Sequence, residues 1–243
     1  MTSMEMNKLR EIVPSLTDEQ LLKFTLFMER LLEKNKVMNL TAITDPDEII
    51  VKHFFDSLSL AAVPKIEEML QKGVRVFDLG TGAGFPGVPL KIAFPSIDIT
   101  LCDSVNKKLS FVGDFLKDNF DSGFSVLHSR AEDCGCDCEH RGKYDIVVSR
   151  AVANLSTLLE YCLPLVKTGG YFVSYKGAQS PALSDEISGA KKACTVLGGT
   201  MIDNVSLTLP LDMGERSLII FKKQKETPSK YPRKAPLPKK DPL

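Results

Sequence analysis

No apolar run in this 243-residue sequence approaches the roughly 18 residues that a membrane-spanning helix needs. The opening stretch, MTSMEMNKLREIV, lacks the basic and then apolar layout of a signal peptide. Both absences lead us to expect a cytoplasmic protein with no membrane partner. Six cysteines without a secretion signal argue for reduced thiols rather than a disulfide framework. No internal repeat is visible. No Gly-Lys-Ser/Thr follows any glycine cluster, which excludes a Walker A phosphate loop.

Net charge is absent too, since 31 basic residues balance 31 acidic ones. The balance is uneven along the chain. From Lys222 to Leu243 eight Lys or Arg face only Glu226 and Asp241, so this end carries +6 and the remainder −6. A basic, proline-rich end on a mildly acidic body suits contact with a polyanion, or a disordered solvated tail. The first reading predicts that truncation after Phe221 weakens polyanion binding.

What is present falls into three parts: a helical lead-in (1–70), an alternating strand and helix region (71–223) and the basic tail (224–243). Thr17-Asp18-Glu19-Gln20 fits a capping box ahead of helically spaced Leu21, Phe24, Phe27, Met28 and Leu31, predicting a helix over about 18–36. Asp45 before Pro46 opens a second, over about 46–62. From Val74 the segments VRVFDL, IDITLCD, FSVLHS, YDIVVS and GGYFVSY predict strands separated by helices. One of those helices is expected over 155–165 and another over 183–197. MIDNVSLTL and RSLIIFKKQ complete a seven-stranded, mostly parallel sheet with one antiparallel edge.

Ligands of such α/β sheets bind beyond the carboxyl ends of the strands. The first strand ends at Asp78 and runs into Gly80-Thr-Gly82-Ala-Gly84-Phe85-Pro-Gly87. This matches the dinucleotide pattern GxGxxG, but a pyrophosphate would meet the negative charge of Asp78. S-adenosylmethionine, with its ammonium and sulfonium, suits that charge better. Its methionine end would lie over Gly80, Gly82 and Gly84. Asp103, ending the second strand, could bind a ribose diol; nicotinamide sites use the same device, so it does not discriminate. Ala131 and Glu132 follow the third strand and suit an adenine edge. Arg150 ends the fourth, beside the transferred methyl. Four loops in register after four strands favour a Rossmann-like class I methyltransferase. The rivals are a catalytically silent RNA-binding protein on the same fold and a nicotinamide-dependent oxidoreductase.

The segment Cys134-Gly-Cys136-Asp-Cys138-Glu-His140 raises the question of a metal site. Zinc sites space paired cysteines by two or more residues so that both thiolates reach one ion. One-residue spacing is strained, so we expect incidental loop thiols and no metal. The residues after the fourth strand narrow the acceptor atom. Ser149-Arg150-Ala151-Val152 stands where amine methylation usually needs Asn/Asp-Pro-Pro-aromatic, and no cysteine follows a proline as cytosine C5 chemistry requires. A ring nitrogen with a free lone pair, such as guanine N7, needs neither device. Positioning and electrostatics then do the catalysis.

VFDLGTGAGFPGVPLKIAFP, LCDSVNKKLSFV, SRAEDC, YDIVVSRAVANL and SYKG resemble the bacterial 16S rRNA guanine-N7 methyltransferases, formerly called glucose-inhibited division protein B. The likeness covers roughly 35–243 and includes Met38-Asn39-Leu40-Thr41 and His53-Phe-Phe-Asp56-Ser57-Leu58 upstream. It implies that Gly80, Phe85, Ala131, Glu132 and Arg150 bind S-adenosylmethionine. It also implies that the acceptor is a guanine in the decoding-centre loop of 16S rRNA or the small ribosomal subunit. We expect a monomer in which Arg150 and Lys176 position the base without a general base. Asn39, His53, Lys176 and Arg233 are expected on the substrate side. Pro236 departs from the family's usual glycine, which puts tail docking and the role of Arg233 in question.

Overall fold

The computed structural model describes residues 3–243. Seven strands form one sheet: β1 (Arg75–Leu79), β2 (Asp98–Asp103), β3 (Phe124–His128), β4 (Tyr144–Arg150), β5 (Val166–Lys176), β6 (Gly199–Thr208) and β7 (Glu215–Lys223), in the order β3-β2-β1-β4-β5-β7-β6. The pairs from β3 to β5 are parallel, as unbroken buried runs such as Val76-Phe77-Asp78-Leu79 demand. The order turns back on itself between β1 and β4, and ligand crevices form at such a switch.

The antiparallel part is wider than expected. β7 is antiparallel to both β5 and β6, so it fills a slot between them, and β6 rather than β7 is the edge. The helix expected over 183–197 is two helices, Pro181–Gly189 and Lys191–Val196, separated at Ala190. Ser180 caps the first through the Leu183 N–H.

The lead-in helix is Asp18–Met38, with its capping box formed by Thr17 and Gln20 and its end set by left-handed Asn39. Phe24 and Phe27 lie fully buried on the face turned to the sheet. Phe27 touches Phe54, Phe85, Phe111 and Phe115. The second predicted helix is one helical run that changes pitch: α over Pro46–Ile49, a wide π turn over Ile50–Phe55, α over Asp56–Leu58 and 3-10 over Ser59–Ala62. One apolar cluster runs from Met6 through Phe85 and Phe111 to Ile220, so lead-in and sheet share a core.

The tail lies against the body. Arg141 donates to the carbonyls of Thr227, Pro228 and Tyr231. Glu160, fully buried on helix Leu155–Cys162, takes Arg233 in a paired ion bridge of 2.7 and 2.9 Å. After Pro236 the chain forms a helical turn, Leu237–Lys240, tied by Thr157 Oγ1 donating to the Pro238 carbonyl at 2.9 Å.

Candidate active site

The glycine loop lies over the carboxyl end of β1 and holds its shape through β2. Gly80 and Thr81 donate to the Cys102 carbonyl at 2.8 and 3.0 Å, and Asp103 Oδ2 accepts from the Gly82 N–H at 2.9 Å. Asp103 Oδ1 accepts from Val105, which leaves lone pairs on both oxygens facing the loop. Gly82 has φ +57°, and a Cβ there would meet nothing within 4 Å, so the backbone is bare toward open space. That space is a cavity of about 400 Å³ lined by Gly80, Gly82, Phe85, Asp103, Ala131 and Arg150 among others. The pocket is of ligand size.

Three expected cofactor residues, Asp78, Gly84 and Glu132, lie outside the cavity wall. Gly84 packs its Cα against Val88 and Phe27. Asp78 is fully buried behind the loop, where Oδ2 accepts from the Gly87 N–H at 2.8 Å and starts helix Gly87–Ala93. Its carboxylate thus sits behind the loop backbone and not in the cavity wall. Burial raises its pKa to about 7 against the lowering effect of Thr81 and Gly87. The sequence reading missed Leu40, Thr41, Ser104, Lys108, Ser129, Ala151 and Val152, all of which line the cavity. Ala151, with φ +58°, is a non-glycine in left-handed backbone just after β4, which no local sequence signal announces.

Arg150 crosses from β4 to the lead-in. Its Nη1 donates to Asp56 Oδ2 at 2.8 Å, its Nη2 sits 3.4 Å from His53 Nδ1, and its guanidinium lies 5.1 Å from the centre of the Phe85 ring. His53 stacks on Phe85 at 4.4 Å. Because a guanidinium only donates, His53 Nδ1 is the acceptor, and Nε2–H donates to Thr41 Oγ1 at 2.8 Å. Burial first and Arg150 second lower the His53 pKa to about 3, so the ring is neutral. Arg216 from β7 approaches the other oxygen of Asp56 at 3.0 Å.

A second cavity of about 540 Å³ opens on the far side of these groups, lined by Lys52, Asp56, Tyr175, Lys176 and Arg216. It shares His53, Arg150 and Ala151 with the first. The two cavities therefore meet at three residues drawn from the lead-in and from the end of β4.

The remaining expectations need correction. Asn39 is the left-handed end of the lead-in helix; its neighbours Leu40 and Thr41 line the first cavity and it does not. Lys176 lines the second cavity, but its ammonium is held by Glu186 at 2.7 Å, so it is not a free cation. Arg233 is removed from the substrate side: Glu160 would be a buried unpaired charge without it. Glu132 lines a neighbouring hollow and accepts from Tyr161 at 3.0 Å. Cys134 is not in a loop but on helix Ala131–Cys136, buried with its sulfur 3.5 Å from that of Cys102. His140 bonds to Tyr144, and among the described residues no group of three or more His, Cys, Asp or Glu could hold a metal.

A family model described as rRNA small subunit methyltransferase G matches residues 20–213. The chain belongs to this family. It is an S-adenosylmethionine-dependent methyltransferase of small-subunit ribosomal RNA. A ribosomal RNA small subunit methyltransferase G of Desulforamulus reducens is 46% identical over 96% of this chain and 95% of its own. One of Alkaliphilus metalliredigens is 45% identical over 93% and 92%. A solved 16S rRNA adenine-N1 methyltransferase from Catenulisporales acidiphilia shares the fold at TM-score 0.53 and 12% identity, covering 67% of this chain and 92% of its own. The methyltransferase domain of the citrinin polyketide synthase does so at TM-score 0.53 and 14% identity, over 70% and 52%.

Proposed function

We propose that the chain methylates N7 of a guanine in 16S rRNA, with S-adenosylmethionine in the first cavity and the base in the second. The observation that carries this is the junction of the cavities. At that junction the basic side chains face cations. His53 Nδ1 faces Arg150, and the oxygens of Asp56 face Arg150 and Arg216. A His53 ring buried and held neutral against Arg150 is a weak base, which suits an acceptor that loses no proton. Guanine N7 attacks with a lone pair and needs only alignment.

Bound S-adenosylmethionine supplies an electrophilic methyl group. The open backbone at Gly82 allows close approach, and the lone pairs of Asp103 suit the two hydroxyls of a ribose. Phe85 backs the junction and keeps water from it. Arg150, fixed by Asp56 on one side and lying over Phe85, holds the junction in shape. Lys52, Lys176 and Arg216 all line the second cavity, each with an acidic partner, Glu48, Glu186 and Asp56, so RNA phosphate would share these cations with carboxylates.

The test is transfer of labelled methyl to small ribosomal subunits that lack the modification, with the labelled base and atom mapped. Label on a guanine N7 is expected. Label on an amine or a ribose hydroxyl overturns the reading, because either acceptor must lose a proton. Arg150→Lys should lower kcat/KM by about 10²-fold, since a lysine cannot both face His53 and bond Asp56. Cofactor binding without any transfer would favour the silent RNA-binding alternative.

A further inference from the structure

Beside the first cavity lies a hollow of about 790 Å³ that shares Ser104, Ser129, Ala131 and Val152 with it. Segments at the carboxyl ends of β2, β3 and β4 and helix Ala131–Cys136 supply most of its walls, with Tyr161 from helix Leu155–Cys162. Lys239 comes from none of these; it belongs to the C-terminal turn. Three contacts on one helix fix this arrangement. Thr157 holds the Pro238 carbonyl directly before Lys239, Glu160 holds Arg233, and Tyr161 donates to Glu132, which also lines the hollow. Arg233 also donates to the Asp241 carbonyl, which clamps the turn from its far end. Lys239 itself is exposed and makes no ion pair among the described residues.

These contacts give the basic end a role unlike a flexible arm for RNA. A hollow lined by both an ammonium and a carboxylate offers a donor and an acceptor to one neutral polar ligand. Adenosine fits that chemistry: its ring nitrogens and ribose oxygens accept, and its exocyclic amine donates. We propose that residues 231–243 form the outer wall of the adenosine end of the methyl-donor site, with Lys239 donating to the adenosine. The inference rests on the placement of the cofactor in the first cavity.

The experiment is calorimetric titration of the full chain with S-adenosylhomocysteine and with 5′-methylthioadenosine, which keeps the adenosine and lacks the amino-acid end. Lys239→Ala should weaken both ligands by the same factor, about tenfold, as loss of one charged hydrogen bond does. Thr157→Val, which releases the Pro238 carbonyl, should weaken both in parallel. Asp103→Ala is the control on cofactor placement. If Asp103→Ala loses affinity while Lys239→Ala and Thr157→Val stay within twofold of the parent, the C-terminal wall is refuted and the cofactor placement stands. If Asp103→Ala binds as tightly as the parent, the placement fails and the proposal with it.

Discussion

At His53 burial and the Arg150 guanidinium act in the same direction, both against a charged ring. The folded pKa of about 3 lies below the ordinary value of 6.5, so the unfolded chain binds a proton that the folded one refuses. Stability from this group is complete above 6.5 and is lost as pH falls toward 3, by up to about 1.4 kcal/mol per pH unit. The His53 ring protons should show no titration between pH 5 and 8 by NMR. A midpoint near 6.5 would mean that the ring is neither buried nor in contact with Arg150. Asp78 has the opposite sign. Its folded pKa of about 7 exceeds the ordinary 3.8, so its contribution is complete below 3.8 and lost as pH rises through 7. Asp78→Asn keeps an acceptor for the Gly87 N–H and removes the buried charge, so it should raise Tm at pH 8 and leave it close to the parent's at pH 4, where the folded carboxyl is already neutral. Neither shift is legible in the sequence: His53 and Asp56 lie three apart on one helical run, and only Arg150, far along the chain, decides what they do.

Most strands were legible because a parallel sheet buried on both faces demands unbroken apolar runs, and those runs are short-range features. The insertion of β7 between β5 and β6 was not, because it depends on pairing between distant segments. Helix Leu155–Cys162 was legible as a helix, yet its polar face was not legible as the anchor of the tail. Glu160 and Arg233 are 73 positions apart, and a basic proline-rich composition alone describes a docked strap and a loose arm equally well. Arg233→Gln leaves the Glu160 carboxylate buried without its cation, and should cost about 3–5 kcal/mol in denaturant unfolding. A change within 0.5 kcal/mol, about the limit for an ordinary surface substitution, would show that the tail is loose in solution.

On the scale of the molecule, one core joins the lead-in to the sheet, and the junction of the two cavities is built from both. The glycine loop and the β4 end were found from sequence because each is a continuous motif. The second cavity was not, since Lys52, Arg150, Lys176 and Arg216 come together only in the folded chain. Phe27, buried against Phe54 of the lead-in, Phe85 of the glycine loop and Phe111 and Phe115 of helix Asn106–Asn119, reports on this continuity. Phe27→Ala should cost about 3–5 kcal/mol and leave a single unfolding transition. Two separate transitions would mean that lead-in and sheet unfold independently.

The position of β7 has a consequence in time. A chain made from its N-terminus presents β6 before β7, yet β6 touches the sheet only through β7. Until the last strand arrives, β5 keeps a raw edge, β6 has no partner, and the second cavity lacks Arg216. Completion of the second cavity thus waits for the strand that closes the sheet and is the last of the seven to be made.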